Sequence, residues 1–118
     1  MTGRSMTTGH LDAFTIRELK GVMGGEFGQL VRAFITDSHQ RLAAIATAVD
    51  NADADALRHA AHSVKGSAGN MGALALQSLC QQLEQCGASG ELAGCSDLYR
   101  DLHDEFACVE REMVALAC

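Results

Sequence analysis

A histidine at position 62 is followed by Lys65, Gly66 and Gly69. On a helix, at about 100° per residue, Leu57, Ala61, Val64, Ala68 and Met71 gather within roughly ±40° of one another as a core stripe. On the same count His62 falls about 140° from Leu57, on the solvent side. Gly66 and Gly69 follow it along that outward face, with Lys65 at the edge. Glycine inside a helix is less favourable than alanine by about 0.8–1.0 kcal/mol, so the pair costs on the order of 2 kcal/mol. A plain solvated face would carry Glu, Lys or Gln there instead. What glycine permits is close approach of another backbone or a second protein to the imidazole. Lys65 reaches back from three residues on and neutralises an anion placed on the ring. A nucleophilic nitrogen, a cation and open access suit phosphoryl transfer, whose chemistry needs mainly positioning and charge stabilisation.

The string His62-Ser63-Val64-Lys65-Gly66, followed by Gly69-Asn70-Met71-Gly72-Ala73, resembles the signature of histidine phosphotransfer (HPt) domains of bacterial phosphorelays. The resemblance includes an upstream amphipathic segment and a downstream Leu-x-x-Cys-x-x-Leu-Glu, and so covers nearly everything after residue 10. It implies that His62 is the phospho-acceptor and that the partner is a response-regulator receiver domain. It also implies that the receiver supplies Mg²⁺ and most of the acid–base machinery, this chain holding no cofactor of its own.

One ring nitrogen of His62 must be free to attack, and a hydrogen-bond acceptor on the other would set the tautomer. Glu84 is one candidate acceptor. It lies twelve residues beyond Gly72, while His62 lies ten before it, so an antiparallel hairpin brings the two to similar heights. The resemblance supports this placement, since HPt relatives carry Gln or Glu there. Arg58 and His59 share or border the outward face and are candidates for contact with a partner's acidic pocket.

The positioning elements follow from periodicity. Residues 1–10 are small, polar and aperiodic and read as a tail or linker. A short helix is expected from Asp12, its N-cap, to about Val22, with Leu11 and Ile16 as a hydrophobic staple. Gly24-Gly25 breaks the chain. Phe27, Leu30, Val31, Phe34, Ile35, Leu42, Ile45 and Val49 make a stripe over a long helix from Glu26. Asp50 to Asp53 reads as a turn, with Asp53 capping a helix from Ala54 to Gly69. After a bend at 70–72, a fourth helix runs from Ala73 to Cys86, with Gly87 as its terminating glycine. Ser89 is a candidate cap for the last helix, whose start is expected near Asp97 because Gly94 weakens the preceding turn. The sum is an all-α, antiparallel up-down-up-down four-helix bundle with a short extra N-terminal helix.

Composition bounds the alternatives. With 118 residues there is room for one core, and with no proline the helices are free to run long. The net charge of −6 argues against nucleic acid as the main partner. No apolar run reaches the roughly 20 residues of a membrane span, and no signal peptide opens the chain, so the expected setting is the cytoplasm. The five cysteines form no C-x-x-C pair and read as free thiols. The pair His59-x-x-His62, with Asp55 or Glu84, offers a metal reading, but the inward Glu-x-x-His pairs of di-metal bundles do not occur, so no metal is assigned. Without a Walker-type loop the chain reads as a phosphotransfer intermediate and not an autokinase, either free-standing or a module of a hybrid sensor kinase. The alternative is a helical interaction module that binds a receiver or an enzyme without being phosphorylated, which leaves the glycine cost unexplained.

Overall fold

Asp12 opens the first helix as its N-cap: its carboxylate accepts from the Thr15 backbone N–H at 3.1 Å and from the Thr15 hydroxyl at 2.6 Å. Those two hydrogen bonds, the hydroxyl foremost, hold the Asp12 carboxyl below its ordinary value. A computed structural model of the chain describes residues 10–117. Helix α1 spans Ala13–Met23, and a 3₁₀ turn at Gly24–Glu26 redirects the chain into α2, Phe27–Asp50. Helices α3 (Ala54–Asn70), α4 (Leu74–Ser89) and α5 (Cys95–Ala117) complete the chain. Every regular element among the described residues is helical. The expected all-α, antiparallel four-helix bundle with a short leading helix is the observed fold.

The bundle closes as a ring in which α2 packs on α3, α3 on α4, α4 on α5 and α5 back on α2. Short connections at 51–53 and 71–73 set α2, α3 and α4 antiparallel to one another. Asp53 caps α3 by accepting from the Ala56 N–H at 3.1 Å. Leu57, Ala61, Val64 and Ala68 are fully buried and face Leu76, Cys80 and Leu83 of α4 across the tightest pairing in the molecule. Alanine at 61 and 68 lets these two helices approach closely. Each fully buried leucine stabilises the fold by about 1.5–3 kcal/mol relative to leaving it exposed. In α2 the buried stripe is Phe27, Val31, Phe34, Ser38, Leu42, Ile45 and Ala48. Leu30, Ile35 and Val49, expected in that stripe, are only half-buried at its edges. Ser38, 1% exposed, fills the gap the apolar pattern leaves between Ile35 and Leu42.

Helix α1 lies at the end of the bundle where α3 turns into α4. The Asp12 N–H donates to the Gly72 carbonyl at 2.8 Å, and Leu11 and Ile16 are buried, as the staple requires. A side chain at Gly72 would meet Thr15 Cβ at 2.9 Å, and the residue has φ +77°. Only glycine satisfies both demands. Residues 1–9 of the expected tail lie outside the described residues. His10, its last member, is tied to α5 with Nδ1 2.7 Å from Glu105 Oε2.

Two boundaries differ from expectation. Gly87 does not end the fourth helix. It is buried within α4, where an added Cβ would stand 2.7 Å from the Ala54 carbonyl oxygen and the Arg58 nitrogen. The helix ends at Ser89, and Gly90, with φ +77°, donates its N–H to the Cys86 carbonyl as a left-handed cap. The last helix starts at Cys95 and not near Asp97. Gly94 precedes the helix and accepts from the Leu98 N–H at 3.1 Å, so it forms the entry instead of weakening a turn. Ser89 caps nothing in α5; its hydroxyl donates to the Cys86 carbonyl at 3.3 Å.

Candidate functional site

The α3–α4 hairpin brings His62 and Glu84 together. Glu84 Oε2 lies 2.8 Å from His62 Nδ1. A carboxylate only accepts, so Nδ1 carries the proton and Nε2 keeps its lone pair. The His62 side chain is 68% exposed, whereas that of Glu84 is 21% exposed. A reactive nitrogen therefore stands in solvent on a ring held from behind by a largely covered carboxylate.

Lys65, expected to neutralise an anion placed on the ring, is engaged here by the same carboxylate. Its ammonium lies 2.7 Å from Glu84 Oε1. That oxygen is shielded from water and has no aligned hydrogen-bond donor among the described residues, so the Lys65 charge is what compensates it. Lys65, and to a lesser degree His62, hold the Glu84 carboxyl below its ordinary value against its partial burial. Glu84 thus stays ionised beside the ring. Behind it, burial and then the Glu84 charge push the Cys80 thiol up to about 12, which makes Cys80 an inert core side chain.

The two glycines of the outward face differ. At Gly66 an added Cβ would meet nothing within 4 Å, so that turn of α3 is bare. At Gly69 it would stand 2.5 Å from Gln77 Nε2 of α4. Gly69 is therefore covered by a flexible glutamine and is not the open access position that its face on the helix suggests.

His59 is exposed and Arg58 half-buried, and both are engaged with the first turn of their own helix. Arg58 pairs with Asp55 at 3.0 Å, and His59 Nδ1 donates to the Asp55 carbonyl at 2.9 Å. Asp55 thus serves His59, while Glu84 serves His62, and the four do not converge. No group of three or more His, Cys, Asp or Glu side chains that could hold a metal ion occurs among the described residues.

One neighbour of the site is not apparent from motif spacing. Arg41 of α2 donates to Ser63 Oγ at 3.0 Å and to Asp37 at 2.8 Å. A guanidinium is thereby fixed on the α2 side of the residue next to His62. The signal available in sequence is Asp37 four residues before Arg41, a pair that orients the side chain along α2. Nothing in sequence tells that this stretch of α2 faces Ser63.

The family model described as Hpt domain matches residues 29–112. Among solved structures, histidine-containing phosphotransfer protein B (HptB) from Pseudomonas aeruginosa PAO1 is similar at a TM-score of 0.91 and 37% identity, over 94% of this chain and 96% of that one. The histidine-containing phosphotransfer protein ZmHP2 from maize shares the fold at a TM-score of 0.82 and 21% identity, over 96% of this chain and 93% of that one. No curated protein matches the chain by sequence.

Proposed function

The chain belongs to the Hpt domain family and serves as a phosphotransfer intermediate of a phosphorelay, and from that premise we propose that His62 Nε2 is the atom that carries the phosphoryl group. The observation that carries this reading is the Glu84 contact on Nδ1, which leaves Nε2 as the unprotonated, solvent-facing nitrogen.

In the proposed transfer, the Nε2 lone pair attacks the phosphorus of a receiver aspartyl phosphate. The N–P bond forms as the P–O bond to the aspartate breaks, and the electron pair leaves with the receiver carboxylate. Nδ1 retains its proton throughout, so the ring gains positive character as the bond forms. Glu84 sits where that charge develops and stabilises it. In the return direction the same protonated Nδ1 makes the ring a better leaving group when a second receiver carboxylate attacks. Lys65 keeps Glu84 ionised and adds a positive charge at the edge of the site for the phosphoryl oxygens. Gly66 leaves room for the receiver surface, and Arg58 and His59 lie at the rim of the contact.

The partner is a receiver domain, which brings its own Mg²⁺ and the groups that activate the aspartyl phosphate. With an acceptor on an exposed helix face and no Walker-type loop, this chain relays phosphate and does not take it from ATP. No helix among the described residues is long and apolar enough to cross a membrane, and the proposed site of action is the cytoplasm. Substitution tests the role of His62. His62→Gln, mixed with a phosphorylated receiver, should accept no phosphate while its helical circular dichroism matches wild type. Undiminished acceptance by that variant would refute the assignment.

A further inference from the structure

Helix α3 packs between α4 and α2, and the turn that carries His62 meets a cation on each flank. On the α4 flank Lys65 is taken up by Glu84 at 2.7 Å, and its side chain is 26% exposed. On the α2 flank stands Arg41, with a side chain 43% exposed. Its Nε donates to Asp37 at 2.8 Å, one turn back on α2, and its Nη1 donates to Ser63 Oγ at 3.0 Å, across the boundary between the helices. A guanidinium presents its N–H donors in a rigid planar fork. These two contacts leave Nη2 unused.

A plain i, i+4 ion pair lays a long side chain along its own helix. Here a second hydrogen bond carries the fork onto α3, at the residue next to the phospho-acceptor. A side chain already held by two bonds has little freedom left to lose when a partner engages it. The partner's side of the contact is acidic by its chemistry, since an aspartate carries the phosphoryl group and Mg²⁺ is held through carboxylates. This chain has a net charge of −6, so cations placed where the two surfaces meet decide whether a carboxylate-rich pocket is received or repelled.

We propose, resting on the relay reading above, that Arg41 is a docking residue for the receiver domain: held in place by Asp37 and Ser63, it gives its remaining N–H donors to a carboxylate on the rim of the receiver's acidic pocket. Arg41 is assigned no contact with the reacting atoms. Its role is recognition, in that it sets how tightly the receiver sits and commits the partner to the α2 side of His62. Lysine is no substitute, because its ammonium is a point charge on a flexible stem and has no planar fork to hold Asp37, Ser63 and a third acceptor together.

The test follows phosphoryl transfer to the full chain, at increasing chain concentration, from each of a panel of receiver domains loaded with acetyl phosphate and desalted. Arg41→Gln should raise the half-saturating concentration about 10-fold or more, the worth of a hydrogen bond to a charged group, while the rate at saturation changes far less. The gap from wild type should narrow as salt is raised. Arg41→Lys should fall between the two. Ser63→Ala frees the guanidinium but keeps its charge, and should raise the half-saturating concentration less than Arg41→Gln does. An unchanged half-saturating concentration in Arg41→Gln, an equal rise in Ser63→Ala, or a loss confined to the rate at saturation would overturn the docking role and leave the relay reading standing. No transfer from any loaded receiver to the folded wild-type chain would overturn the relay reading and the docking role with it.

Discussion

Glu84 Oε2 lies 2.8 Å from His62 Nδ1, across the seam between two antiparallel helices, and the other oxygen of the same carboxylate lies 2.7 Å from the Lys65 ammonium. One carboxylate therefore sets both the tautomer of the imidazole and the position of the nearest lysine. The two effects separate on substitution.

Glu84→Gln keeps an acceptor for the Nδ1 proton, and Glu84→Ala does not. The alanine variant should accept phosphate about 10-fold or more slowly, the worth of a hydrogen bond to a group that becomes charged. The glutamine variant should fall between it and wild type. Nitrogen NMR of the imidazole gives an independent reading, with a dominant Nδ1–H tautomer in wild type and a mixture in Glu84→Ala.

The Glu84 carboxyl lies below its ordinary value of 4.5 in the folded chain, chiefly through Lys65. Because the folded value is the lower one, the unfolded chain takes up this proton first as pH falls. The stabilisation is fully present above about pH 4.5 and is lost as pH drops through the depressed folded value. Urea unfolding of wild type and Glu84→Gln should show a stability difference in favour of wild type at neutral pH. That difference should shrink on acidification below about pH 4.5. A difference that stays constant with pH would show that the ion pair does not contribute.

Gly66 separates stability from function. An added methyl meets nothing there, so Gly66→Ala should stabilise the fold by about 0.8–1.0 kcal/mol, the ordinary helix gain. A long side chain such as Gly66→Gln should also fold well yet slow phosphoryl transfer from a receiver several-fold, by filling the ground a partner must occupy. Equal transfer rates for all three would remove access as the reason for this glycine.

Gly87 predicts the opposite pattern. Its missing side chain is where α4 touches the backbone of α3, so Gly87→Ala should destabilise by about 1–3 kcal/mol despite the better helix propensity. Thermal unfolding measures this directly, and a more stable Gly87→Ala chain would contradict the packing described.

The contrast between these glycines shows what was legible in the sequence. The outward direction of His62 and the bareness around Gly66 follow from helical angle alone. The pairing with Glu84 follows from matched distances to the Gly72 bend. Gly69 lies on the same outward face as Gly66, yet Gln77 covers it, because cover comes from a neighbouring helix whose rotation periodicity does not determine. Gly87 looks like a terminator for the same reason: a close approach and a helix end both call for glycine, and only the position of α3 distinguishes them. Lys65 was readable as a charge near the histidine. Its engagement by Glu84 depends on which carboxylate oxygen faces it, and spacing carries no such information. Arg41 shows the general limit, since its contact to Ser63 spans two helices whose relative shift along their axes is set by packing.

The most direct test is to determine which nitrogen of which histidine carries phosphorus. The chain, labelled with ¹⁵N at histidine, would be phosphorylated by a receiver domain and its ¹⁵N–³¹P coupling recorded. A single coupled nitrogen assigned to Nε2 of His62, with Nδ1 still protonated, is the result expected. Phosphorus on Nδ1 of His62, or on His59 or any other histidine, would contradict the account, because the carboxylate that defines the site would then be on the wrong side of the ring or on the wrong residue.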